Sequence, residues 1–182
     1  MARDHARLQV GIWADSDWRG LPMASQWLYT YLLSSPKLSY AGVADWRPKR
    51  IAAFTLDGSA DLIEKAALPL EDEQPPLLLI DRDTEEALIR TFIRHDGVLT
   101  VPNVAIATAK AWQDTASEIL RGVIADEVVS IHQEEPDLPA FRESNASWPW
   151  MQSILGSELI GWERAVDLLD PNPTTKSVRR VK

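Results

Sequence analysis

The chain has 182 residues, a net charge of −8, 45% hydrophobic residues and 25% charged ones. That balance excludes wholesale disorder and suits one domain with an appendage, or two small ones. No apolar run approaches the roughly 18 residues of a membrane span, and MARDHARLQV has no signal-peptide core, so a cytoplasmic protein without a membrane partner is expected. The lack of cysteine removes disulfides, thiolate zinc sites and cysteine nucleophiles. The negative balance argues against a general coat for nucleic acid or membrane.

Leu8 to Trp13 alternates well enough for a short strand. A turn-rich connector, Asp15 to Gly20, follows. Pro22 suits a first helical position, and Met23, Trp27, Leu28, Tyr31 and Leu32 then share a helical face up to Pro36. Val43 to Trp46 is a strand fragment at most. Pro48 opens a short second helix through Phe54. Asp57 is the expected cap of a third, where Leu62, Ile63, Ala66, Ala67 and Leu70 share a face until Pro69 stops or kinks it. Leu77 to Ile80 and Ala87 to Arg94 read as the strands of a hairpin around the polar turn 82–86. Strand, three helices and a two-stranded hairpin give an α+β fold with the layout of a winged helix-turn-helix over residues 1–98.

Residues 99–132 read as a helical extension. Asn103 can cap a helix through Trp112, and Thr115 to Glu118 forms a capping box opening another to about Ile131. The proline-containing, charged stretch 133–146 reads as a linker with little to bury. A C-terminal helical segment follows over 147–170, and then a basic flexible tail over 171–182 carrying Lys176, Arg179, Arg180 and Lys182.

Several strings carry a resemblance: Ala2 to Arg7 with Ile12-Trp13, Leu28-Tyr29, Leu32-Leu33-Ser34, Ala41-Gly42-Val43, Arg90, Phe92 to Val98, and Pro102-Asn103-Val104. Over roughly residues 1–110 the chain resembles small helix-turn-helix, replication-initiator-like proteins encoded by actinobacterial phages and prophages. Phe92-Ile-Arg-His-Asp-Gly97 is the most specific piece. The resemblance implies a winged-helix DNA-binding module near phage replication or transcription control in the host bacterial cytoplasm, and it transfers no catalytic residue. Leu21 stands where a Ser or Thr cap is expected, and residues 54–72 match poorly.

In such a layout the third helix reads base edges in the major groove, with Ser59 and Lys65 as the best-placed residues. Its other polar residues, Asp61 and Glu64, repel phosphate, and the wing tip Arg82 to Glu86 is net acidic. Arg47, Lys49 and Arg50 gather three cations in four residues to grip phosphate, with Arg90 and Arg94 alternating on the last strand. Duplex DNA is the expected partner. The competing reading is an adaptor whose acidic third helix and wing, through Asp61 and Glu64, bind a host or phage protein. Trp148, Trp150 and Trp162 could add an apolar face for a partner helix or a homodimer, though core packing in a small helical subdomain is the favoured explanation. Trp13, Trp18, Trp27 and Trp46 are expected in the core.

No enzyme motif survives its context. Ser34-Ser-Pro-Lys37 has no companion K-T-G, and Asp15-Ser-Asp17 continues with Arg19 and Gln26 where calcium ligands belong. The three histidines lack ligand spacing. A non-enzyme without metal or cofactor is expected.

Overall fold

The computed structural model describes residues 6–170. The tail cations Lys176, Arg179, Arg180 and Lys182 and the string Ala2 to His5 lie outside them. No described helix is long and apolar enough to cross a membrane.

The expected opening strand is absent: Val10–Ala14 is a 3-10 turn with no buried residue, and Trp13 is 58% exposed, outside the core. A short helix α1 (Ser16–Gly20) follows, capped by Asp15, whose carboxylate accepts from the Asp17 and Trp18 amides. Helix α2 (Met23–Ser34) starts after Pro22 without a side-chain cap, and Gln26 instead ties it to α1 by donating to the carbonyls of Trp18 and Leu21. Its buried stripe is Ser25, Leu28, Leu32 and Leu33; Trp27 and Tyr31 lie half-buried at its edge, and Met23 is exposed.

Strand β1 (Val43–Asp45) is a genuine sheet member. Helices α3 (Pro48–Ala52) and α4 (Ala60–Asp72) then pack on each other and α4 on α2. Ser59, not Asp57, caps α4, its hydroxyl accepting from the Leu62 amide at 3.2 Å. Pro69 does not stop α4. The carbonyl it leaves without an amide donor belongs to Lys65, on the exposed side where water can serve.

Strands β2 (Leu78–Asp81) and β3 (Glu86–Ile89) complete an antiparallel sheet of order β1-β3-β2, in register through Leu79, Leu88 and Val43. All of β2 is buried, because α4 and two later helices pack on it, which explains a continuous apolar run in place of alternation. The second hairpin strand is shorter than its sequence suggests. Upstream of β2 stand Pro75 and Pro76, which have no amide to donate, so the ladder ends and Phe92–His95 coils into α5. Arg94 therefore sits on a helical turn and Arg90 between strand and helix.

Helices α6 (Pro102–Asp114), α7 (Glu118–Glu134), α8 (Trp148–Leu155) and α9 (Trp162–Leu169) follow. Val101, not Asn103, precedes α6, with Pro102 in its first turn. No capping box forms at Thr115, whose hydroxyl donates to Ala111. Ser117 caps α7, and the Glu86 carboxylate accepts the amides of Ala116 and Ser117 at 2.9 and 2.7 Å, binding β3 to this corner. Most of the stretch 133–146 is exposed, as expected, but its middle is anchored. A 3-10 turn at Pro139–Phe141 buries Ala140 and Phe141, Phe141 sits 4.5 Å from the His132 ring, and Ser147 donates to the Ala140 carbonyl.

Candidate nucleic-acid interface

Helices α3 and α4 and the turn between them present the cationic cluster. Apolar Ile51, Ala52, Ile63, Ala66, Ala67 and Leu70 turn inward, which forces the remaining positions of both helices toward solvent. Arg47, Lys49 and Arg50 are all exposed. Arg47 Nε lies 3.3 Å from Glu85 at the hairpin tip, and Arg50 Nη1 lies 3.8 Å from Asp45. Lys49 has no ion-pair partner among the described residues. Ser59 is exposed, but its oxygen already serves the helix cap.

On α4 the acids divide. Asp61 is exposed and pairs with Lys65 at 2.7 Å. Glu64 points elsewhere: it accepts from the Trp46 indole N–H at 3.3 Å and pairs with Arg82 at 3.1 Å. Arg82 also grips Glu71 with both terminal nitrogens, at 3.0 and 2.9 Å. The Glu71 contact foremost holds the guanidinium above its usual range. Glu64 is thus a brace between helix, β1 and hairpin. Its carboxylate, 41% exposed, is already paired within the chain, unlike the freely solvated acid expected. Trp46 is buried, as expected of a core residue.

Two expected phosphate contacts are elsewhere. Arg90 is half-buried, donates Nε to the Pro76 carbonyl at 2.8 Å, and is shifted below its ordinary pKa by burial. Arg94 is bound to α7 through Glu127 at 2.6 Å and Glu134 at 2.5 Å, and these contacts, Glu134 first, raise its pKa. Neither joins the cluster on α3. Trp148 and Trp150 pack against the core, Trp148 near His132 and Trp150 beneath Lys110, while Trp162 is half-buried.

Sequence reasoning missed four apolar residues beside the cations. Phe54 and Leu56 between the helices, and Leu62 and Leu68 on α4, are all exposed. Phe54 extends an aromatic row, 5.1 Å from Tyr31, which stacks on Trp27 at 5.4 Å. Leu62, expected on the buried face of α4, lies at its edge and is 41% exposed. The role of Arg82 had one available signal: Glu64 and Glu71 are seven residues apart, two turns along one helix face. Among the described residues no group of three potential ligands could hold a metal.

The chain matches no family model, no curated protein and no solved structure.

Proposed function

We propose that residues 1–98 form a winged helix that binds duplex DNA, acting in phage replication initiation or transcription control. The supporting observation is the arrangement α2-β1-α3-α4-β2-β3 with sheet order β1-β3-β2, which leaves the outer side of α4 and the cations of α3 in solvent. Arg47, Lys49 and Arg50 grip phosphates, and Ser59 and Lys65 approach base edges. The pairs Arg47–Glu85 and Arg50–Asp45 are largely exposed, worth little in water, and readily exchanged for phosphate. The pairing of Glu64 with Arg82 offsets one of the charges that opposed this reading. The resemblance to phage replication-initiator-like proteins points the same way.

A second reading has its own observation. Phe54, Leu56, Leu62 and Leu68 are exposed on the same two-helix unit, an apolar share that suits a protein partner better than a phosphate backbone. Titration of duplex DNA at several salt concentrations separates the two. Three or four phosphate contacts give a log–log slope of about −3 to −4. No detectable binding near 50 mM salt, an ionic strength that screens little, would replace DNA by the protein partner.

A further inference from the structure

A cavity of about 530 Å³ lies between the N-terminal segment, α2, the chain after α4 and the stretch from β3 to α5. Its size falls within the ~300–1,000 Å³ of small-molecule sites. Leu33, Ile89 and Phe92 give it apolar walls. Two donors on the same lining lack acceptors. Trp18 is 5% exposed, and its indole N–H has no hydrogen-bond partner. Arg90 spends only Nε, on the Pro76 carbonyl, and none of the ion pairs among the described residues includes it. Tyr29 sets Trp18 in place, its ring edge-to-face at 5.4 Å.

A buried N–H without a partner is costly. The half-buried Arg90 guanidinium, which feels Glu127 and Glu163 but forms no ion pair among the described residues, keeps terminal donors that an oxyanion could accept from together with the indole. The rest of the lining leans acidic: Arg7 stands with Asp15, Asp17, Glu73 and Asp96. A second negative charge on the ligand gains nothing there. We propose that this cavity binds a small, flat monocarboxylate, its carboxylate held by Arg90 and Trp18 and its apolar body against Leu33, Ile89 and Phe92.

The test uses the full chain, ¹⁵N-labelled and free of DNA, with the Trp18 indole signal assigned through Trp18→Phe. Benzoate, phenylacetate and indole-3-acetate are titrated beside neutral benzamide and dianionic phenyl phosphate. Expected is a saturable shift of the Trp18 signal with a carboxylate below about 10 mM, with benzamide silent and phenyl phosphate no tighter. Arg90→Gln is expected to weaken that binding about tenfold or more. Should Arg90→Gln not fold, calorimetry on Trp18→Phe serves instead, with an expected loss of about fivefold. Silence from all three carboxylates, benzamide binding as well as benzoate, tighter phenyl phosphate, or unchanged affinity in the variant would each overturn the proposal.

Discussion

Gly42 and Phe92 are in such close contact that a Cβ built on Gly42 would sit 2.7 Å from the Cβ of Phe92. Gly42 also holds φ at +81°, and its carbonyl accepts the Ile89 amide at 2.9 Å. Two strings far apart in the sequence, Ala41-Gly42-Val43 and Phe92 to Val98, therefore meet at one point where β1 begins and β3 ends.

Gly42→Ala is expected to lower unfolding stability by about 3 kcal/mol, from left-handed backbone strain plus the clash. Urea unfolding followed by tryptophan fluorescence measures it, and a loss below about 0.5 kcal/mol, the scale of a neutral surface change, would show that the contact relaxes freely.

Asp61 and Glu64 are expected to behave differently although both are acids on α4. Asp61→Ala removes only an exposed pair with Lys65, so stability changes by about 0.5 kcal/mol or less, and DNA binding holds or tightens. Glu64→Ala strips the Trp46 indole and Arg82 of an acceptor and costs about 1–2 kcal/mol, solvent screening included. Thermal melts and DNA titrations on the two variants check this ranking. Replacing Arg47, Lys49 and Arg50 together with Ala is expected to weaken binding to every duplex alike and to flatten the salt slope by about 2–3.

Acid sensitivity should follow the Arg94 cluster. Its hydrogen bond to Arg94 holds the Glu134 carboxyl below the ordinary 4.5. The folded value is the lower one, so the unfolded chain binds more protons as Glu134 titrates. The stabilisation is present above about the ordinary value and is lost as pH falls through the folded one. Urea midpoints measured between about pH 3 and 7 should therefore fall less steeply on acidification for Glu134→Gln than for the parent chain.

Phe141→Ala is expected to cost about 3–4 kcal/mol, since Phe141 is 4% exposed and packed on His132. In the parent chain trypsin should cut slowly at Arg142, whose guanidinium donates to the Asp137 carbonyl beside the packed turn. In the variant it should cut there first. Rapid cleavage of the parent at Arg142 would show that this turn does not hold in solution.

Much of the element order was legible because it rests on local periodicity. The buried stripe of α4 at Ile63, Ala66, Ala67 and Leu70, the strand at Leu78 to Ile80, and the proline opening α3 need no distant partner to be read. The candidate site was half legible. Arg47, Lys49 and Arg50 are exposed as their charge and spacing suggest, whereas Glu64, Arg90 and Arg94 looked free only because their partners are far along the chain. Arg94 meets Glu134 across 40 positions, and Glu64 meets Arg82 across 18.

Sequence alone thus established an α+β chain, the positions of its principal helices, and a cationic group at the start of the short helix α3. Hydrophobic period and proline placement are properties of neighbours in the chain. Which charges remain available to a partner, where β3 stops, and whether the middle of residues 133–146 is anchored belonged to the tertiary structure. Each depends on a group that folding brings from elsewhere: Arg82 to Glu64, Pro75 and Pro76 to the end of the ladder, and His132 to Phe141. An ionic or packing partner is set by distance in space, which no local pattern encodes.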